Sequence, residues 1–266
     1  MDSDNIYLRT NPTINPYRYA SFIVLNRLKW DLRLESWRSR RRLNAYRNKH
    51  KGEKAVILCN GPSLLKSDFS LLNKVFTFGL NKINLLFSES DFRPSCIVAV
   101  NSYVIEQNSE FYNQTQIPLF IDQYGTKFIE SRNNVSFLHS VHQPAFAKNC
   151  SVSIHQGGTV TYVALQLAFH MGFSKVALIG CDHSFTSKGS ANKVVQSSDQ
   201  DLDHFDKNYF AGGDKWQLPD LPASEMSYIL AREVYKSHDR LIVNSTFGGC
   251  LEIFQRMDLE SFLRDD

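Results

Sequence analysis

Short apolar runs that recur from Lys54 onward constrain the fold more than any other feature of the sequence. Each run is rich in apolar and β-branched residues and stops at or near a polar turn. Strands buried on both faces of a parallel sheet have this composition, because helices cover both faces of the sheet. The runs are Ala55–Cys59, Val75–Gly79, Cys96–Val100, Leu119–Asp122, Val135–Leu138, Lys175–Gly180 and Leu241–Asn244.

Helical patterns alternate with these runs. After Gly157-Gly158-Thr159, apolar residues keep the i, i+3, i+4 spacing of a helix as far as Met171, and Gly172 ends it. A second helix is predicted from Ala223 to about Ser237. We therefore predict an α/β fold with a Rossmann-like, mostly parallel sheet and helices on both faces.

The segment from about 184 to 221 is long, polar and interrupted by glycine, aspartate and lysine. A stretch of this length without obvious structure is more often a functional lid than a linker. We predict a lid at this place in the chain.

The N-terminal segment, residues 1–52, is basic and predicted to be helical from Tyr19 to about Lys51. Its charge is concentrated near the end, at Arg38, Arg40, Arg41, Arg42 and Arg47. A basic helix that carries tryptophan can lie on an anionic membrane surface, but the same pattern also suits a helix that packs on the main domain. Both interpretations stay open. No nucleic-acid reader motif accompanies the cluster, so no nucleic-acid partner is expected.

The cysteines and the hydropathy of the sequence indicate in which cellular compartment the protein resides. The five cysteines lie far apart without a C-x-x-C pair, which favours a reducing compartment and neither disulfides nor a zinc site. The first residues are polar and acidic, and no apolar run approaches the roughly 20 residues that span a bilayer. We expect a cytoplasmic protein, with a peripheral position on the inner face of the membrane left open.

Polar residues stand at the ends of several predicted strands. Asn60-Gly61-Pro62-Ser63 follows the first run, and Asn81, Asn101, Asp182 and Asn244-Ser245 follow later ones. Carboxyl ends of parallel strands form the ligand crevice of open α/β sheets, and amides both donate and accept hydrogen bonds. We interpret these residues as a ligand site, while single asparagines in such turns are common by themselves.

Gly157-Gly158-Thr159 precedes the strongest helical pattern. Helix N-termini present free N–H groups and glycines let an anion approach, so a phosphate or carboxylate fits here. A plain glycine turn with Thr159 as the N-cap has the same sequence. Neither G-x-x-x-x-G-K-[ST] nor G-x-G-x-x-G occurs, so ATPase-like and dehydrogenase functions have no motif support.

Histidines supply the candidate bases. His204, inside the predicted lid and flanked by Asp203 and Asp206, is our first candidate for a general base, and His183 after Asp182 is the second. Asp201-Leu202-Asp203 is a D-x-D element, but Val194–Ser198 before it is a poor strand. We therefore favour a solvated lid over a metal site and expect no metal or other cofactor.

The ordered motifs resemble those of a known family. Cys59-Asn-Gly-Pro-Ser-Leu64 resembles the G-N-G-P-S-L opening of the family-42 bacterial sialyltransferases. Four later motifs are similar to that family and to the related MptE-like group of flagellin-modification and surface-polysaccharide proteins. They are Phe78–Asn81, Val98–Asn101, Gly157–Thr159 and Ala177–Asp182. Two more, Asp203–Phe210 and Asn244–Phe254, resemble motifs of the MptE-like group. The resemblance spans roughly Lys54 to Phe254 and leaves out the basic segment.

The resemblance implies a metal-independent, inverting glycosyltransferase of a GT-A-like sialyltransferase variant, with residues 53–266 as its nucleotide-sugar-binding catalytic domain. The donor would be a CMP-activated sialic acid or related, Kdo-like nonulosonate, and the acceptor a surface glycan or glycolipid. Asn60 and Ser63 would lie near the phosphate and sugar, Asn81 and Asn101 would hold the donor, and Gly158 and Thr159 would contact the cytidine or its neighbourhood.

Tyr209 would stabilise the leaving phosphate. The family places its base histidine after the lid tyrosine, whereas here His204 precedes Tyr209. An ATP-dependent pyrophosphokinase of the MptE type and a non-catalytic nucleotide-sugar binder are the alternatives, and a homo-oligomer stays open.

Overall fold

The computed structural model describes residues 15–141, 143–186, 189–197, 200–210 and 212–264. These residues contain twelve strands: β1 (Lys54–Leu58), β2 (Phe76–Leu80), β3 (Cys96–Ala99), β4 (Leu119–Asp122), β5 (Val135–Leu138), β6 (Ser140–Val141), β7 (Ile154–His155), β8 (Lys175–Ile179), β9 (Val194–Gln196), β10 (Lys215–Gln217), β11 (Leu241–Asn244) and β12 (Gln255–Arg256). Eight of them form the central sheet, in which every neighbouring pair is parallel, in the order β5-β4-β3-β2-β1-β8-β11-β12.

The strand order reverses between β1 and β8. Chain connections run outward from β1 to β5 on one side and from β8 to β12 on the other. In open α/β sheets, ligands bind outside the carboxyl ends of the strands at such a switch point. The predicted α/β, Rossmann-like, mostly parallel fold is confirmed, and the chain segments after β1 and β8 are placed side by side.

Helices cover both faces of the sheet. The seven helices of the described residues are α1 (Pro16–Asp31), α2 (Leu34–Tyr46), α3 (Ser102–Gln107), α4 (Ser109–Gln114), α5 (Val160–Met171), α6 (Leu221–Lys236) and α7 (Leu259–Arg264). Short 3₁₀ turns lie at Pro62–Lys66, Phe69–Leu72, Ile83–Ser88 and Gln123–Lys127.

Alternate residues of β1 contribute to two hydrophobic cores, one on each face of the sheet. Ala55 and Ile57 join the core beneath α5, whereas Val56 and Leu58 join the core on the opposite face. Buried residues occupy almost every position of α5, which is why its sequence is apolar on all sides. Gly172 ends α5 in the left-handed conformation, as the sequence predicts.

The N-terminal segment forms two helices where the sequence predicted one. The chain turns at Leu32 and Arg33, and the indole of Trp37 donates to the carbonyl oxygen of Asp31 across the corner. Helix α2 covers the free edge of β5, since the Ser39 hydroxyl accepts from the Phe137 amide and Arg42 donates to the Val135 carbonyl. For α2, the structure favours packing on the main domain.

The segment 184–221, predicted to be a lid and called the lid below, is more regular than its sequence indicated. Val194–Gln196, interpreted from sequence as a poor strand, is β9 and pairs antiparallel with β10. Its partner lies about twenty residues further along the chain, so the local composition alone does not reveal the pairing. Across the described residues, no helix has the length and apolar character needed to cross a bilayer.

Candidate functional site

One large cleft of about 1,480 Å³ lies at the carboxyl ends of the central strands, between α1 on one side and the lid on the other. Nine of the residues predicted to form the site line this cleft. They are Asn60, Gly61, Asn81, Asn101, Gly158, Thr159, Asp182, His183 and His204. The four residues from separate strand and helix ends, Asn60, Asn81, Asn101 and Gly158, therefore face one space.

The segments after β1 and β8 meet without room for a side chain at Gly61. A Cβ atom there would lie 2.0 Å from Asp182 Oδ2 and 2.7 Å from the Gly180 carbonyl oxygen. The Gly61 amide donates to that carbonyl, and the Ser63 amide donates to Asp182 Oδ2 at 3.0 Å. Glycine at position 61 thus lets the Asp182 carboxylate sit against the turn after β1.

Two asparagines carry amide oxygens with unused hydrogen-bonding capacity. Asn60 and Asn81 are at successive strand ends, and among the described residues neither Oδ1 atom has a hydrogen-bond partner although both are buried. Asn60 Nδ2 donates to the Tyr209 hydroxyl, which fixes the orientation of that amide. Buried acceptors without partners are costly, so a ligand that donates to them gains free energy.

Asn101 has a different local role. Its Oδ1 atom accepts from the Tyr103 and Val104 amides and so caps α3, while Nδ2 lies 3.4 Å from Gln217 Oε1 of the lid. The side chain lines the cleft but is held by protein groups on both atoms. It links the end of β3 to the lid strand β10.

The glycine turn before α5 opens towards the cleft. Gly158 adopts a left-handed conformation, and Thr159 caps the helix by accepting from the Thr161 amide. Gly157 packs away from the cleft, where a Cβ would lie 2.3 Å from the Tyr162 ring. The helix start and its dipole can therefore stabilise an anion next to Gly158 and Thr159.

A histidine–aspartate pair lies where the lid meets the cleft. His204 Nδ1 is 2.8 Å from Asp201 Oδ2, and because a carboxylate only accepts, Nδ1 carries the proton. The imidazole stacks on the Tyr209 ring with centroids 4.0 Å apart and planes at 3°. This arrangement leaves Nε2 as the proton acceptor, which is what a general base needs.

Tyr209 is fully buried beneath His204 and does not line the cleft. Burial raises the pKa of its phenol well above the ordinary value. The Lys82 ammonium donates to the Tyr209 carbonyl oxygen and to Asp214 Oδ2, and burial lowers the pKa of that ammonium. Lys82, which the sequence analysis passed over, fastens the lid to the end of β2.

His183 lies at the rim. Its backbone is in the left-handed region, and Nε2 is 3.0 Å from a carboxylate oxygen of Glu225 on α6. The ion-pair partner is half exposed, so this contact adds little stability. The histidine is orientated by α6 and not by the lid.

Other predicted site residues lie outside the large cleft. Pro62 and Ser63 line a smaller, adjoining pocket of about 450 Å³ beside Lys66 and Gly248, which shares Asp182 and Asp203 with the large cleft. Asn244 Nδ2 donates to the Leu251 carbonyl oxygen and Oδ1 accepts from the Thr246 amide, so its side chain organises the turn after β11. Ser245 follows it and lines neither space.

The far end of the cleft contains polar residues that the sequence analysis missed. The buried Asp122 carboxylate, at the end of β4, accepts from Ser140, Gln156 and the Tyr124 amide, and burial raises its pKa. His139 follows β5, and burial together with the Arg27 guanidinium lowers its pKa to about 4. Asp122 stands at a strand end like Asn60, so the same signal could have identified it.

The two carboxylates of the D-x-D element accept hydrogen bonds from groups within the lid. Asp201 accepts from the Asp203 and His204 amides, and Asp203 accepts from the Thr186 amide and hydroxyl. Across the part of the chain that the structure describes, no group of three or more histidine, cysteine, aspartate or glutamate residues is placed to hold a metal ion.

Fold and cleft together define a Rossmann-like α/β protein with a ligand-sized cleft at its switch point. The sequence model of the family described as 6-hydroxymethylpterin diphosphokinase MptE-like matches residues 33–188, more than half of the 266 residues. The chain belongs to this MptE-like family. The match begins within the N-terminal segment, so the family region reaches further towards the N-terminus than the predicted start at Lys54.

A solved structure shares the fold. The MAf glycosyltransferase from Magnetospirillum magneticum AMB-1 superposes with a TM-score of 0.50 at 13% identity, covering 86% of this chain and 39% of that chain. The present chain thus spans well under half of its neighbour's length. No curated protein matches the chain. The MptE-like part of the resemblance is confirmed, whereas the similarity to family-42 sialyltransferases stays a prediction.

Proposed function

We propose that the protein is a glycosyltransferase that binds a nucleotide sugar in the cleft at the switch point. The observation that carries the proposal is that Asn60 and Asn81, whose buried amide oxygens have no partner among the described residues, line one cleft together with the glycine-opened start of α5. Amide oxygens accept from base amino groups and sugar hydroxyls, and a helix start favours a phosphate. The fold shared with a glycosyltransferase is consistent with this function.

The donor we propose is a CMP-activated nonulosonate, of the sialic acid or Kdo class, and the acceptor is a surface glycan or glycolipid. Transfer is a direct, inverting displacement at the anomeric carbon. The acceptor oxygen forms the new bond, and the bond to the phosphate breaks with its electron pair remaining on CMP. The acceptor proton passes to Nε2 of His204, which Asp201 holds in the required orientation. Donors near Gly158 and Thr159 stabilise the leaving phosphate.

Room for the acceptor exists in the same cleft. Its volume exceeds the roughly 300–1,000 Å³ of a typical small-molecule site. The asparagines and α5 occupy one part of the lining, and Phe22, Asn26 and Trp30 of α1 with Tyr124 occupy another. We assign the donor to the first part and the body of the acceptor to the part beside α1, with its reacting hydroxyl extending across the cleft to His204.

The experiment is a thermal-shift panel with CMP, UDP, GDP and ATP, each with magnesium and with EDTA. At a concentration 100-fold above Kd, a ligand stabilises a protein by about 2.7 kcal/mol, which raises Tm by several degrees. CMP is expected to stabilise the protein equally with and without magnesium. Asn60→Ala should lose this shift, whereas Asn44→Ala, which changes an exposed asparagine on α2, should retain it.

The family description favours a second candidate, transfer of pyrophosphate from ATP to a pterin. This function predicts that ATP with magnesium stabilises the protein and that CMP does not, because magnesium bridges the phosphates of ATP in such reactions. A non-catalytic binder would respond to a nucleotide but show no turnover. Incubation with a CMP-sugar and detection of released CMP separates that outcome from a transferase.

A further inference from the structure

Helix α1 has two faces with different surroundings. Its inner face, including Phe22, Ile23 and Trp30, lines the cleft. Its outer face carries Tyr17, Val24, Leu25 and Leu28, which are between 48% and 81% exposed. The spacing i, i+7, i+8 and i+11 places these four side chains on one stripe.

The stripe continues around the corner between α1 and α2. Leu32, Leu34 and Trp37 are each at least 65% exposed there. The seven side chains of this outer face make up half of the large apolar side chains that are exposed in the described residues. This concentration of exposed apolar side chains along one helix and its corner indicates an interaction surface, because exposed apolar residues of a protein surface are usually scattered singly.

Charge around the outer face favours an anionic partner. Residues 15–46 contain eight arginines and lysines but only two acidic residues, Asp31 and Glu35. Both acids are already paired, Asp31 with Arg27 and Arg40, and Glu35 with Arg42 and, at 3.9 Å, with Arg38. The exposed basic residues of this segment are Arg18, Lys29, Arg33, Arg38 and Arg41. Arg18 and Lys29 border the stripe on the side of Leu25, at spacings of seven and four residues.

We propose that the outer face of α1 and the α1–α2 corner dock on an anionic lipid surface, which brings the acceptor end of the cleft to that surface. Apolar side chains enter the boundary between headgroups and acyl chains, and the bordering basic groups contact the lipid phosphates. From the sequence, the whole basic helix was a candidate for an anionic membrane surface or for packing on the main domain. In the structure, Arg40 and Arg42 of its basic cluster pair within the protein, so the proposed contact lies on the outer face of α1 and the corner.

Co-sedimentation with vesicles of phosphatidylcholine alone, or with 30% phosphatidylglycerol, tests the proposal without any nucleotide. Its outcome is therefore independent of the proposed glycosyl transfer. We expect at least tenfold stronger partitioning onto the anionic vesicles, weakened by high salt. Leu25→Glu/Leu28→Glu should lower it at least tenfold. Met226→Glu/Ile229→Glu, an exposed apolar pair with the same spacing on α6, should leave it unchanged.

Tryptophan emission gives a second readout on the unaltered protein. Trp37 is 69% exposed, whereas Trp30 is 3% exposed, so insertion of the corner shifts emission to shorter wavelength when anionic vesicles are added. Equal binding to both vesicle types, no binding, or equal losses in the two double variants overturns the proposal. A dimer that Leu25→Glu/Leu28→Glu dissociates, with no vesicle binding, would assign the outer face to a second copy of the chain.

Discussion

Replacing Gly61 by alanine tests the geometry at the switch point. Gly61 has φ of −70°, a value that alanine adopts without strain, so the cost of the substitution is purely steric. The new methyl group would lie 2.0 Å from Asp182 Oδ2 and 2.7 Å from the Gly180 carbonyl oxygen. The carboxylate must move away, and it then loses the hydrogen bond from the Ser63 amide.

The expected cost has two parts. A hydrogen bond to a charged group contributes about 1.5–3 kcal/mol, and overpacking against a backbone that cannot shift costs about 1–3 kcal/mol. Gly61→Ala should therefore lower the free energy of unfolding by roughly 2.5–6 kcal/mol. Urea denaturation followed by circular dichroism measures this difference, with the slope m as a check that the unfolded state is unchanged.

Gly52→Ala is the matched control. Gly52 has φ of +86°, and no atom lies within 4 Å of the position that a Cβ would take, so its replacement costs only the backbone strain of about 1–2 kcal/mol. Our account requires Gly61→Ala to be the more damaging change. A Gly61→Ala protein within about 1 kcal/mol of the parent would show that the segments after β1 and β8 do not meet as closely as described.

Three further predictions concern titration and catalysis. The low pKa of His139 means that the unfolded chain binds its proton more readily, so stability should fall by about 3 kcal/mol as pH drops from 6.5 to 4, and less in His139→Gln. The raised pKa of Asp122 acts with the opposite sign: stability falls as pH rises above the ordinary carboxyl pKa, so Asp122→Asn should gain stability relative to the parent as pH rises through that range. Denaturation at several pH values checks both, and parallel profiles of variant and parent would contradict them. Asp201→Asn should lower the rate of glycosyl transfer at least about 100-fold, because His204 then loses the carboxylate that orients it. Asp206→Asn alters a turn carboxylate in the same lid and should leave the rate unchanged. Equal rates for the two variants would rule out His204 as the base.

Much of the fold could be predicted because buried parallel strands leave a local signal. The seven predicted runs coincide with β1, β2, β3, β4, β5, β8 and β11, with end points that differ by one residue at most. The local composition did not reveal strands that are very short or whose pairing partners are distant in the sequence. The hairpin of β9 and β10 and the two-residue strand β12 gain their stability from tertiary contacts that composition does not encode.

The site was predictable to the extent that it follows strand ends. Asn60, Asn81 and Gly158 lie together in the cleft because parallel strands end at one edge of the sheet. The contribution of α1 could not be predicted, since the packing of a helix across the cleft depends on long-range contacts such as that of Arg27 with Ser153. The burial of Tyr209 beneath His204 could likewise not be predicted from the sequence.

Crystallisation with CMP tests the central claim most directly. The account predicts that the nucleotide lies in the large cleft, within hydrogen-bond distance of the side-chain oxygens of Asn60 and Asn81 and next to Gly158 and Thr159. CMP bound instead in the smaller pocket beside Ser63 and Lys66, with these asparagines untouched, would contradict it.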